Sequence, residues 1–307
     1  MAEIYSRLQK KLEAGHFVVC SEMGPPIGAD PDFIRNKARM LKGYVDAVNL
    51  TDNQTAIVRM SSIAAAKIAS DEGLEMIIQA TCRDRNRIGL QSDILGASAL
   101  GLRNILCLSG DHQSFGMDKG AKNVFDLDSV QLVRTVHDMV HKGVLLNGKE
   151  MKSPPKMFIG AAANPFADPF EMQMLKLMKK VEAGAQFFQT QAIYNLDKFE
   201  YWMEEVRKLG IHERVYILAG ILPTRSVKAL KIMKNHVAGM DIPDAVIERF
   251  EKSDDPEAEG VEMAVETIER VKKIEGVRGV HLMPVMWEKI TPVIVEKASL
   301  YPRPEVD

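Results

Sequence analysis

Eight apolar runs recur along the chain, and a helix-like pattern follows most of them. This alternation is typical of parallel strands joined by crossover helices, because the helices cover a sheet that is buried on both faces. Eight such units favour an α/β fold with a closed (β/α)8 barrel, a TIM barrel, over an open sheet. The predicted strands span 16–23, 45–50, 76–81, 104–110, 156–163, 186–191, 214–221 and 279–284.

The segments between the runs predict the helices and a few additions to the barrel. We predict one barrel domain over residues 1–307, with a short helix at about 4–13 and a possible surface ribbon at about 143–155, where Asn147-Gly148 is a hairpin signal. Segment 237–259 predicts a short helix and a solvated acidic turn. The predicted crossover helices span 32–42, 58–71, 88–100, 129–141, 169–183, 196–209 and 224–235, with a last one after Trp287.

The composition excludes several classes of protein. Hydrophobic residues make up 46% of the chain and charged residues 27%, as in globular proteins, and the net charge is -2 without a basic block. Nucleic acid is therefore not an expected partner, since phosphate binding needs concentrated Lys and Arg. No apolar run is long enough to span a bilayer. The charged N-terminus lacks an apolar signal core, so we expect a cytoplasmic protein.

The three cysteines give little support to a metal site or a disulfide framework. Cys20, Cys82 and Cys107 lie in or beside predicted strands, and the chain has no CxxC spacing. We interpret them as buried free thiols.

Two carboxylates stand where predicted strands end, on the face of a barrel that carries chemistry. Asp111 closes the run NILCLSGD at 104–111, and it is either a functional group or a loop aspartate that caps a turn. Glu22 interrupts an apolar run and precedes Gly-Pro-Pro. Burial disfavours a charged carboxylate and raises its pKa, which suits a general acid near neutral pH. The alternative for Glu22 is an internal salt bridge.

Other strand ends offer space and hydrogen-bonding groups. Three alanines at 161–163 leave room for a flat ligand, and Gln191 offers an amide that both donates and accepts. The arginines at 83, 85 and 87 either hold an anionic group or form surface ion pairs. No dinucleotide-binding, phosphate-loop or zinc-protease motif is present. These groups at the carboxyl end of the predicted barrel fit an enzyme that binds a polar heterocycle and acts on it by acid catalysis with a bound cofactor.

Five motifs in the same order resemble the methylenetetrahydrofolate reductase family. They are SEMGPP at 21–26, TCRDRNRIGLQSDILGASALGL at 81–102, LSGD at 108–111, GAQFFQTQ at 184–191 and AGILPT at 219–224. The resemblance covers roughly the whole chain. It looks closest to the branch found in autotrophic and related bacteria and in fused homocysteine methyltransferase–reductases.

The resemblance implies an enzyme of one-carbon and methionine metabolism. Such a flavin-containing barrel reduces 5,10-methylenetetrahydrofolate to 5-methyltetrahydrofolate by hydride transfer from reduced flavin. By resemblance, Glu22 is the acid that helps to open the substrate ring, Asp111 lies near flavin and pterin, and Gln191 binds the folate. Thr51, Gly110, Asp111 and Lys180 match positions that contact flavin.

The chain departs from the family pattern on the flavin side. Ser109 replaces an arginine, Gln79 a histidine, Asn164 a tyrosine and Gln173 an aspartate. We expect Gln79, Ser109 and Asn164 to contact the cofactor nevertheless. FAD is the expected cofactor, with FMN as an alternative, and the expected donor is either NAD(P)H or an electron-transfer partner subunit. We also expect an oligomer.

Two other functions stay open at this point. The chain is either the reductase itself or a folate- or flavin-binding subunit of an electron-transfer complex, weakly active alone. A flavin-independent barrel lyase or pterin methyltransferase is the third possibility.

Overall fold

The computed structural model describes residues 3–237 and 239–306. Residues 1, 2, 238 and 307 lie outside this part, and with them the ends of the predicted 1–307 domain and one position of segment 237–259. Eight parallel strands close into a barrel in sequence order, which confirms the predicted TIM barrel. The strands are β1 Val18–Met23, β2 Ala47–Leu50, β3 Met76–Thr81, β4 Asn104–Leu108, β5 Phe158–Ala163, β6 Phe187–Ala192, β7 Tyr216–Ile221 and β8 Val277–Leu282.

Helices connect successive strands around the outside of the barrel. Local sequence sets their starts: Asp30, for example, accepts the N–H of Asp32 at 2.9 Å, with Pro31 in the first turn. The helices are α1 Arg7–Glu13, α2 Pro31–Leu41, α3 Ser62–Asp71, α4 Arg87–Ala99, α5 Ser129–His137, α6 Phe170–Ala183, α7 Leu196–Lys208, α8 Val227–His236, α9 Asp244–Glu251, α10 Pro256–Val271 and α11 Thr291–Lys297.

The predicted connection between β7 and β8 is wrong in one respect, because it misses α10. This 16-residue helix packs Val261, Ala264, Ile268 and Val271 into the main core. The predicted crossover helix at 224–235 is α8, which with α9 builds a smaller separate core. Residues 237–259 therefore contain α9 and the first turn of α10. The acidic turn is the start of a helix, with Asp255 as its N-cap.

Helix α1 covers the amino-terminal end of the barrel. Leu8 and Leu12 are fully buried against the first inward-facing side chains of the strands, among them Val18, Ile77 and Phe187. Ser6 caps the helix by accepting the N–H of Gln9 at 3.0 Å. This end of the barrel is filled by apolar side chains, so polar groups and space concentrate at the carboxyl end.

The segment predicted as a surface ribbon forms a tight turn with one antiparallel bridge, between Val144 and Glu150. The N–H of Leu145 donates to the carbonyl of Lys149 at 2.9 Å. Gly148 has a φ of 82°, in the left-handed region where glycine carries no Cβ penalty. Across the described residues, none of the helices combines the length and the apolar character that crossing a membrane requires.

We predict that Leu12→Ala destabilises the fold by about 2–5 kcal/mol, because it removes methyl groups that close the barrel and leaves a cavity. Urea unfolding measures the change. Leu146→Ala is the matched control, since Leu146 is 43% exposed in the surface turn. An equal decrease in the free energy of unfolding for the two variants would show that α1 does not close the barrel.

Candidate active site

Glu22 lies inside the carboxyl end of the barrel. It is the fifth residue of β1, in register with Asn49 of β2, and its side chain is only 12% exposed. Burial raises the pKa of the Glu22 carboxyl to about 7, and the negative charge of Glu288 acts in the same direction. The amide Nε2 of Gln79 donates to Glu22 Oε2 at 3.2 Å and opposes the shift. The carboxyl is therefore partly protonated near neutral pH, as a general acid requires.

The alternative of an internal salt bridge does not describe Glu22. Among the described residues, the basic side chain within 4.0 Å of its carboxylate is His281 of β8, at 3.9 Å from Nε2 to Oε2. Burial lowers the pKa of His281 to about 3, so its imidazole is neutral at physiological pH. Within that distance, the part of the chain that the structure describes offers the carboxylate no full positive charge.

Three polar residues inside the barrel were missed by the sequence analysis. Asn49 of β2 and Gln189 of β6 exchange two amide hydrogen bonds across the barrel, at 2.7 and 3.0 Å. His281 is 3% exposed and both its ring nitrogens lack a partner in the structure. A polar residue within a β-branched run is the signal that was available, since buried polar groups need partners.

The arginines after β3 form ion pairs instead of standing free for an anion. Arg83 is buried and donates to Asp84 at 2.7 Å, whereas Arg85 binds Asp52 through both terminal nitrogens, at 2.7 and 2.9 Å. Arg87 likewise pairs with Asp126. Of the two interpretations left open, the ion pairs describe all three arginines. They brace the rim of the barrel.

Asp111 stands at the rim and is exposed. Its Oδ2 accepts the N–H of Thr55 at 3.1 Å, and its carbonyl accepts from Arg83 at 3.2 Å. Thr55 and its neighbour Ala56 have φ values of 55° and 56°, a strained conformation for residues with a side chain. The carboxylate of Asp111 thus holds a strained loop after β2, as in the turn-capping alternative, and this contact leaves its other oxygen for a ligand.

A cleft of about 780 Å³ crosses the carboxyl ends of β3 to β6 and runs out over α6. It is of the size that holds small molecules and cofactors. Of the predicted site residues, Gln79, Ser109, Asn164, Lys180 and Gln191 line it, together with the unpartnered His281. Glu22 is not in the lining, but its neighbours Gln79 and His281 are, so the acid lies directly behind the cleft wall.

Lys180 and Gln191 are partly engaged by the protein. Lys180 Nζ donates to the carbonyl of Ala162 at 2.7 Å, and burial lowers its pKa to about 8. Gln191 Oε1 accepts the N–H of Ala192 at 3.1 Å. Asn164 Oδ1 similarly accepts from Phe166 at 3.0 Å. Each of these contacts fixes the direction of a polar side chain in the wall of the cleft.

Thr51 and Gly110 follow the carboxyl ends of β2 and β4 and are not in the lining of the cleft. Thr51 is 1% exposed and its hydroxyl has no partner in the structure. Gly110 has a φ of 89°, and a Cβ at this position would lie 3.0 Å from the Cβ of Thr81. Only glycine fits the position without strain.

The fold and the site together define a (β/α)8 barrel with a buried acid beside a cleft at the carboxyl ends of the strands. A sequence model described as methylenetetrahydrofolate reductase matches residues 7–299, and the chain therefore belongs to the methylenetetrahydrofolate reductase family. This confirms the resemblance drawn from the sequence motifs.

Curated relatives agree with this assignment. The chain is 22% identical to a probable methylenetetrahydrofolate reductase (NADPH) of Caenorhabditis elegans, over 97% of the chain and 44% of that protein. It is 25% identical to methylenetetrahydrofolate reductase 1 of Schizosaccharomyces pombe, over 76% of the chain and 37% of that protein. The chain thus spans less than half the length of these relatives.

Among solved structures, an uncharacterized protein from Clostridium thermocellum shares the fold. It superposes with a TM-score of 0.65 at 13% identity, covering 95% of this chain and 98% of that one. That protein binds two copies of 5-methyl-5,6,7,8-tetrahydrofolic acid.

We predict that Glu22→Gln stabilises the fold, and that it does so much more at pH 8 than at pH 5. The Glu22 pKa is about 7 in the folded protein against 4.5 for a free glutamate. Folding therefore becomes less favourable as the pH rises from about 4 to 7, by on the order of 3 kcal/mol. Thermal melting at pH 5 and pH 8 measures the effect. An equal rise in melting temperature at both pH values would show that the carboxyl is not held in its neutral form.

Proposed function

We propose that this chain reduces 5,10-methylenetetrahydrofolate to 5-methyltetrahydrofolate. The observation that carries the proposal is the Glu22 carboxyl, buried without a cation and with a pKa of about 7, directly behind a cleft with amide-bearing walls. The family membership supports the reaction, and the folate-binding protein of the same fold supports the ligand class.

A flavin fits the residues that line the cleft. The side chains of Ala162 and Ala163 add little bulk at the end of β5, so a planar ring has room against the strand. Gln79, Ser109 and Lys180 supply hydrogen-bonding groups along the same wall. A reduced flavin bound here would supply the hydride.

Each site residue then has a task in this proposal. Glu22 holds a proton and gives it to the nitrogen that leaves when the five-membered ring of the substrate opens. Gln79 is hydrogen-bonded to Glu22 and fixes the direction of its carboxyl. Gln191 presents an amide to the folate, with its oxygen partly held by Ala192. Asp111 brings a negative charge to the rim, beside the loop that it holds.

We propose FAD as the cofactor, with FMN as the alternative, and NAD(P)H as the electron donor. The names of two relatives support the donor, since they specify NADPH for the Caenorhabditis elegans protein and NADH for one from Oryza sativa subsp. japonica.

A second candidate is a folate- or flavin-binding subunit that receives electrons from a partner protein. It is favoured by the departures on the flavin side, where Ser109 is exposed and Asn164 turns its oxygen to Phe166. Steady turnover of the isolated chain with NADH or NADPH would remove this candidate. Reduction of the bound cofactor by dithionite but by neither nicotinamide would support it.

We predict that the purified chain carries a flavin. Its visible spectrum should show the absorption bands of an oxidised flavin, and chromatography of the released chromophore should identify FAD or FMN. A colourless protein that also takes up neither flavin on addition would contradict the flavin proposal.

We predict that Glu22→Gln slows folate reduction by about 10²–10⁴-fold, because the amide cannot donate a proton to the leaving nitrogen. Reduction of the bound cofactor by its donor should change little, since that half-reaction needs no acid at this position. Stopped-flow absorbance separates the two half-reactions. Equal losses in both would make Glu22 a structural residue.

A further inference from the structure

The imidazole of His281 is the one buried ring among the described residues that faces the Glu22 carboxyl without a hydrogen-bond partner at either nitrogen. It comes from β8, which pairs with β1, so its place beside Glu22 is fixed by the barrel. A buried polar group without a partner is costly, and native structures rarely keep one without a role.

We propose that His281 is a positioning residue for Glu22: its neutral ring presents an unprotonated Nε2 that accepts a hydrogen bond from the protonated carboxyl. The inference rests on the proposed function only in calling Glu22 the acid. The separation of 3.9 Å is too long for a hydrogen bond, but the hydrogen bonds of catalytic groups often shorten in the complex with substrate.

The charges around the pair favour this arrangement. Glu22 meets amides from Gln79 of β3 and from Gln54 in the loop after β2, and both favour its charged form. Glu288, in the turn before α11, is negative and opposes that form, although Lys37 of α2 pairs with Glu288. Burial lowers the pKa of His281 to about 3. The ring thus stays neutral and keeps one nitrogen free of a proton.

The tautomer decides what the ring does to its neighbour. An unprotonated Nε2 accepts a hydrogen bond from the protonated oxygen of Glu22 and so favours the acid form of the carboxyl. An Nε2–H would instead donate to the carboxylate and favour the charged form. In the first tautomer, His281 opposes the effect of the two amides on the Glu22 pKa. The ring also holds the acidic proton on the line between Oε2 and Nε2 until it is transferred to the substrate.

The ¹⁵N spectrum of the histidine rings in the unsubstituted protein is the first test. His281 is recognised as the ring that stays neutral to well below pH 5. We expect its Nδ1 to carry the proton and its Nε2 to be unprotonated. The opposite tautomer would overturn the proposal. This readout does not depend on any enzymatic activity, so it fails separately from the reductase proposal.

The second test is His281→Phe, which keeps a planar ring that excludes water but removes the acceptor. We expect the Glu22 titration, followed by ¹³C NMR of labelled glutamate, to shift down by about one pH unit, roughly tenfold in the ionisation constant. The pH above which the rate of folate reduction falls should shift down together with this titration. An unchanged or upward-shifted titration would overturn the proposal.

Val280→Ala is the matched control for a general loosening of β8. Val280 is fully buried on the outer face of the same strand, next to His281. We expect this variant to be less stable and to keep the Glu22 titration of the unsubstituted protein. Should His281→Phe fail to fold, the ring tautomer of the unsubstituted protein decides the proposal alone.

Discussion

The site depends on the buried carboxyl of Glu22, which has no compensating cation within 4.0 Å among the residues that the structure describes. A charge in such a place is costly, and the group responds by holding its proton to a higher pH. The groups that contact or face the Glu22 carboxyl are neutral. Gln79 contacts the carboxyl with an amide and His281 faces it with an uncharged ring. A lysine or arginine in either position would keep Glu22 ionised and remove its acid chemistry.

The rest of the barrel makes this exception possible. Leu8 and Leu12 of α1 close the amino-terminal end with apolar side chains, and the Asn49–Gln189 pair crosses the interior where its polar part begins. Above it, the ion pairs of Arg83 and Arg85 hold the rim, and Asp111 holds the strained loop after β2. The guanidinium groups of Arg83 and Arg85 are thereby engaged at the rim and are not within 4.0 Å of the Glu22 carboxylate.

Much of this arrangement is readable from the sequence, and particular residues show why the remainder is not. The eight strands follow from their apolar runs, and Glu22 stands out because it interrupts one of them. His281 interrupts another run equally, but a single strand does not reveal which strand lies beside it. Helix α10 was missed because its acidic first turn resembles a solvated loop, although Val261, Ala264, Ile268 and Val271 recur at helical spacing. The roles of Arg85 and Arg87 were ambiguous because their partners, Asp52 and Asp126, are distant in sequence.

The most direct measurement is the anaerobic reoxidation of the reduced, flavin-loaded chain by 5,10-methylenetetrahydrofolate between pH 5 and pH 9. A buried acid with a pKa of about 7 predicts that 5-methyltetrahydrofolate forms and that the rate falls above neutral pH. A reduced cofactor that the folate does not reoxidise at any pH would contradict the proposed reaction. Reoxidation at a rate that does not change with pH would contradict the role of Glu22.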